Sequence, residues 1–202
     1  MNDLGELVAR IRQCRICRDN PRGVRLPHGP RPVLQPSDAA RILIAGQAPG
    51  TRVHASGLPF TDPSGDRLRQ WLGVASDVFY DPAQIAILPM GFCFPGLTPA
   101  GADLPPRPEC AVAWRQACMA AMPQIRLVIC LGAHAMRWHM GAVFLGSVDA
   151  TVKFWERGLL FRPAVIPLPH PSWRNNAWLK RNPWFDSELL PVLRREVKRG
   201  LS

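Results

Sequence analysis

Four short apolar runs constrain this chain more than anything else in it: RILIAG at 41–46, IAILPM at 85–90, IRLVICLG at 125–132 and AVIPLP at 164–169. None shows the polar alternation of a strand with one wet face. They read instead as strands covered on both sides, the pattern of a parallel sheet. Helical periodicity fills the intervals. Leu4, Leu7, Val8 and Ile11 share one face of a helix from residue 3 to about 14, and further helices are expected over 64–72, 107–122, 133–140 and 183–199. Strands alternating with helices predict an α/β fold, a three-layer α/β/α sandwich with a central, mostly parallel four-stranded sheet and right-handed crossovers. In such sheets ligands bind beyond the carboxyl ends of the strands, so the loops after the first, second and fourth runs should converge on one site. With 202 residues, 47% of them hydrophobic, the chain has material for one substantial core. Residues 1–202 therefore read as one domain, with 1–40 supplying an N-terminal helix, a Cys14–Cys17 knuckle and an extended Pro/Arg-rich link packed on it.

Charge narrows the partner. Lys and Arg number 25 against 15 Asp and Glu, a formal +10 with His neutral, and the cations are nearly all Arg. That balance favours a polyanion over a neutral metabolite, because the guanidinium fork grips phosphate through two hydrogen bonds and can lie on a base. A basic surface kept only for solubility is the competing reading. The charged, amphipathic N-terminus resembles neither a signal peptide nor a membrane span, which leads us to expect a cytoplasmic monomer with no membrane partner. In a reducing compartment its six Cys suit a metal or redox site better than disulfides. The segment FPGLTPAGADLPPRPE at 94–109 is too rich in Pro for a strand or helix, and a loop of that length inside a compact domain is usually functional.

GQAPG at 46–50, with GLPF at 57–60, follows the first run, and HPSWRN at 170–175 follows the last. In this order and separation the pair resembles the two signature motifs of the uracil-DNA glycosylase superfamily, from about Cys14 to Trp184. The physics of each motif agrees. Gly46 and Gly50 allow backbone close to a ligand and Pro49 fixes the turn, so amides around Ala48 can point into a pocket. The resemblance makes Phe60 the platform on which a flipped base stacks, although a core aromatic is the plainer alternative. It makes His170 the donor that stabilises negative charge on the departing base. Downstream, HPSWRNNAWLKRNPWF interleaves Ser172, Arg174, Asn175, Lys180 and Arg181 with Trp173, Trp178 and Trp184. Such a mixture suits a phosphate backbone beside an inserted wedge, most like the single-strand-selective branch, while a solvated basic helix accounts for Lys180 and Arg181 equally well.

The sequence also departs from its relatives. Family four has Glu as the second residue of the first motif and other branches have Asp or Asn as the third; here they are Gln47 and Ala48. Gln can orient water through its carbonyl oxygen but is no general base. The nearest carboxylate is Asp62 in FTDPSGD, which is similar to a family-five segment whose Asp helps to activate water, if one residue is deleted before it. Asp62 fits equally as the N-cap of a helix beginning near Ser64. Asp66 reads as a first-turn helix residue, and His54 as a second water-positioning group. The family-four Asn that reads the pyrimidine edge is replaced by Pro89, leaving backbone near Met90 and Gly91, or Asn175, to do the reading.

The cysteine layout, C-x2-C at 14 and 17 and then Cys93 and Cys110 sixteen residues apart, resembles the ligand pattern of iron-sulfur family four and five glycosylases. It implies a [4Fe-4S] cluster on Cys14, Cys17, Cys93 and Cys110, with tetrahedral zinc as the alternative. Cys118 and Cys130 read as small buried apolar residues. Together these readings imply a monofunctional DNA base glycosylase hydrolysing the N-glycosidic bond of uracil or a related deaminated base in DNA, the first step of base excision repair. His170, Gln47 and Asp62 would be catalytic; Gly46, Ala48, Pro49, Phe60, Met90, Ser172, Arg174 and Asn175 would bind substrate. Neither motif holds a Lys for a Schiff base, so lyase chemistry is not expected. A non-catalytic damaged-DNA-binding module and a zinc-stabilised nucleic-acid-binding protein are the rival readings.

Overall fold

In the computed structural model, which describes residues 3–202, the four apolar runs become β1 (Ile42–Ala45), β2 (Ile85–Ile87), β3 (Leu127–Leu131) and β4 (Ala164–Leu168). They lie in the order β2-β1-β3-β4 and every neighbouring pair is parallel. Ile42 stands opposite Ile85 on one side and Leu127 on the other, and Leu127 opposite Ala164. Apart from Ala164, every strand residue is buried, which is why the runs lack polar alternation. Pro167, which has no N–H to give, is accommodated because β4 is an outer strand.

Helices cover both faces of this sheet, as a three-layer sandwich requires. The Leu190–Leu201 helix packs on β1, β3 and the Pro63–Leu72 helix; Ala133–Met140 and Val148–Lys153 pack on β4, the former also on β3. Leu4–Arg12, capped by Asp3 through Gly5 N–H at 2.9 Å, packs on Gln116–Ala120. The helix expected over 107–122 begins with Pro108–Cys110, widens into a π-turn over Ala111–Arg115 and resumes as Gln116–Ala120. Its final neighbour in sequence behaves alike, with a π-turn at Phe185–Leu189 before Leu190. Ile16–Asp19, Thr51–Ser56, Ser76–Tyr80, Val148–Lys153 and Asn176–Arg181 are helices that periodicity did not reveal, each too short to repeat a pattern.

The link is extended, as its prolines require, but it is not idle. Gln35 and Ile87 exchange both backbone hydrogen bonds, at 2.8 and 2.7 Å, and Gln35 Nε2 donates to Ile85 O at 2.8 Å. The open edge of β2 is thereby covered, and buried Leu26 and Val33 anchor the strap. Among the described residues no helix is long and apolar enough to cross a membrane.

Candidate active site

Four parallel strands put four carboxyl ends at one edge. The chain leaves β1 for β2 on one side and reaches β3 on the other, so a crevice opens at the ends of β1 and β3. Met90 N–H donates to Gly46 O at 2.9 Å and Gly91 N–H to Gln47 O at 2.8 Å, carrying the β1–β2 ladder past the strands and fixing the 46–50 turn. Gln47 then lies across Gly132 at the end of β3. There φ is +83°, and a Cβ would stand 2.9 Å from Gln47 Nε2, so both conformation and space demand glycine.

A pocket of about 580 Å³ occupies this crevice, bounded by Gly46, Gln47, Ala48, Pro49, Phe60, Asp62, Pro89, Asp103 and His170 among others. Phe60 holds a left-handed φ of 56°, a strained conformation for an aromatic residue. Its surroundings impose that conformation. Tyr80 OH lies 3.0 Å from Pro59 O and 3.1 Å from Phe60 O, and Gly65 passes so close that a Cβ there would stand 1.9 Å from Phe60 O. The ring itself meets Phe79 edge-on at 5.9 Å, leaving it half-buried against the pocket.

His170 enters from the end of β4. Burial holds its imidazole pKa below the usual value; Asp62 and Asp103 oppose that shift and Arg174 adds to it. Ser172 N–H donates to His170 Nδ1 at 3.2 Å, so the neutral ring carries its proton on Nε2. Asn175 Nδ2 donates to His170 O at 2.6 Å, bracing the loop. From the other motif, Arg67 donates to Ser172 O at 3.1 Å and Asn176 Oδ1 at 2.8 Å, tying the two loops together.

Asp62 combines both of its expected places. Its Oδ1 caps the Pro63–Leu72 helix by accepting from Gly65 N–H at 3.2 Å and Ser64 Oγ at 2.5 Å, and the same side chain lines the pocket. A second carboxylate, Asp103, was not singled out by sequence reasoning. It arrives on the 94–109 loop, which folds back through Leu104 N–H to Gly96 O at 2.9 Å and Thr98 N–H to Ala102 O at 2.7 Å. Asp103 Oδ2 lies 3.6 Å from where a Gly50 Cβ would be. The signal was the length of that loop together with its one Asp.

The pocket opens into a cleft of about 1810 Å³ that Arg52, Arg67, Arg174, Ser172, Asn175 and Trp173 help to line. Trp173 is 73% exposed beside it. Other candidates lie elsewhere. Met90 is buried outside the pocket lining, with its N–H and that of Gly91 already engaged; Pro89 forms the wall instead. Lys180 and Arg181 are exposed on the Asn176–Arg181 helix, away from the cleft lining. His54 meets His28 at 4.3 Å and Phe94 at 5.7 Å with its ring tilted to both, and burial lowers its pKa. Asp66 pairs with Arg69 at 2.6 Å on the surface.

Cys14, Cys17, Cys93 and Cys110 line a single recess of about 430 Å³, with Ile11, Ile16, Leu26, Phe92 and Trp114 among its walls. Phe92 N–H donates to Cys110 Sγ at 3.2 Å and Trp114 Nε1–H to Cys14 Sγ at 3.4 Å. Burial pushes the Cys93 thiol up to about 12 and the Cys110 and Cys17 thiols upward as well. Among the described residues, no three His, Cys, Asp or Glu side chains are gathered tightly enough for one metal ion. Cys118 and Cys130 are buried, as expected of small apolar residues. A family model described as the Uracil DNA glycosylase superfamily matches residues 34–194, a span holding both strand-end motifs.

Proposed function

Because the chain belongs to the uracil DNA glycosylase superfamily, whose members hydrolyse base–sugar bonds in damaged DNA, we propose that it is a monofunctional glycosylase releasing uracil or a related deaminated base. The observation that carries this reading is His170, whose Nδ1 is held by Ser172 N–H, leaving an Nε2–H to donate into a pocket floored by the strained Phe60. A base turned out of DNA would stack on Phe60. As the C1′–N bond breaks, its electron pair goes to the base, and His170 Nε2–H stabilises the charge on the ring oxygen. Water adds at C1′ and loses a proton, giving free base and an abasic site. Gln47 can orient that water but cannot take its proton, so Asp62 or Asp103, at the pocket wall, receives it. Arg52, Arg67 and Arg174 would face phosphates along the cleft, with Trp173 beside the strand.

The four recess cysteines fit a [4Fe-4S] cluster by their convergence, their apolar walls and the two N–H···S bonds. Bound there, it would tie the N-terminal knuckle to the 94–109 loop rather than deliver electrons. Anaerobically purified protein is expected to be brown, with iron and sulfide in equal amounts; one zinc per chain and no iron would replace the cluster with zinc. The activity is tested with oligonucleotides bearing uracil, hydroxymethyluracil, hypoxanthine or xanthine, scored for abasic sites. Tight binding without release from any of them would leave only a damage-binding module.

A further inference from the structure

Arg115 is the largest fully buried side chain in the molecule, 1% exposed. The π-turn of Ala111–Arg115 brings it under the sheet edge, where its guanidinium donates to Leu88 O at 2.7 Å, Pro89 O at 3.1 Å and His139 Nε2. It also lies 5.4 Å from the Trp138 ring. No anion faces it. His139 accepts through Nε2 and is neutral, its pKa driven down to about 2 by burial first and Arg115 second. The thiols nearest to it, apart from the recess cysteines, are Cys118 and Cys130, which burial raises to about 11 and about 12. Its Nε has no hydrogen-bond partner.

A buried cation without a carboxylate partner is costly, and two carbonyls could be satisfied by a neutral donor. What a neutral donor lacks is the charge. Just past β2, Pro89 lines the base pocket and, having no N–H, can donate nothing to a base. Resting on the glycosylase reading of that pocket, we propose that Arg115 is a positioning residue for the reaction. It fixes the Leu88–Pro89 backbone and sets a permanent positive charge behind the Pro89 wall, where the base leaves as an anion. In a dry site such a field acts on the developing charge at no reorganisation cost.

The test compares wild type, Arg115→Lys and Arg115→Gln on oligonucleotides carrying uracil or 5-fluorouracil, the latter a more acidic leaving group. Single-turnover cleavage of uracil should fall at least about tenfold more than that of 5-fluorouracil in Arg115→Gln, with Arg115→Lys restoring most of the difference. Equal losses on both bases would mean that Arg115 only supports the fold, and would overturn the proposal. A second measurement needs no cleavage. Free 5-fluorouracil is titrated into wild type, Arg115→Lys and Arg115→Gln across the pH range in which the base itself ionises. The anion should bind more tightly than the neutral base to wild type and Arg115→Lys, and that preference should shrink in Arg115→Gln; a preference equal in all three overturns the proposal. If this preference is found while no base is released from DNA, the glycosylase reading falls and the charge behind the wall stands.

Discussion

At the scale of single residues the site turns on which atom of His170 holds a proton. Loss of the side chain in His170→Ala should slow single-turnover cleavage about a hundredfold to a thousandfold, about 2.7–4 kcal/mol of barrier, as for one oxyanion donor. Ser172 offers a finer probe, since its φ of −71° already suits proline. Ser172→Pro removes only the N–H that holds Nδ1, together with the hydroxyl. It should slow the reaction and change the imidazole tautomer seen by nitrogen NMR, whereas Ser172→Ala, which keeps the N–H, should leave the tautomer unchanged. The two carboxylates separate in the same assay. Asp62→Asn keeps a competent N-cap, so its melting temperature should hold and any loss of rate reports on water activation. Asp103→Asn should lower the rate with no change in stability, because Asp103 is exposed on its loop. Unchanged rates in both variants would place the proton acceptor elsewhere. His170 and Phe60 were legible in the sequence because each sits inside a contiguous motif. Asp103, Arg67 and Arg115 were not, because their partners lie far along the chain and nothing in their immediate neighbours marks them.

Among the elements, strands were the most readable: burial on both faces leaves an unbroken apolar run, and all four runs became strands. Helices of six residues or fewer escaped, and so did the widened turns at Ala111–Arg115 and Phe185–Leu189, whose inserted residue no periodicity encodes. The 94–109 segment was legible as a long loop but not as a folded-back hairpin, since its prolines hide the Leu97–Asp103 bridge. The Pro63–Leu72 helix supplies a prediction of its own. Its Gly65 is what lets Phe60 descend, so Gly65→Ala must displace Phe60 O or the first helical turn. A cost of about 1–3 kcal/mol in denaturant unfolding is expected from such overpacking. If Phe60 is the stacking platform proposed for it, cleavage should fall by more than that loss explains. A variant that is destabilised yet fully active would dissociate Phe60 from the reaction.

For the whole molecule, the excess of Arg becomes meaningful only through its placement. Affinity for DNA should fall with salt, by about 0.9 in log–log slope for each phosphate contact. Arg52→Ala and Arg174→Ala, in the cleft, should each reduce that slope, while Lys180→Ala should leave it unchanged. A slope reduced by Lys180→Ala instead would put the DNA on the other side of the Asn176–Arg181 helix. Stability against acid follows from the buried imidazoles. In the unfolded chain His139 and His170 take up protons near the ordinary value of about 6.5, whereas folding lowers both pKa values, that of His139 to about 2. Stability is therefore full above about pH 6.5 and declines as pH falls below it, because the unfolded chain binds more protons. His139→Gln should flatten the fall in melting temperature across that range; an unaltered profile would contradict the neutral, buried state of His139. The order β2-β1-β3-β4 carries one more consequence, in time rather than in space. On the ribosome β1 emerges early but must wait for β3, and β3 for β4, before the sheet is complete, and His170 follows β4. On the proposed reading, a nascent chain that has already folded the Phe60 turn still lacks His170 as its proton donor, so a truncated translation product would be born without the means to cut a base from the genome.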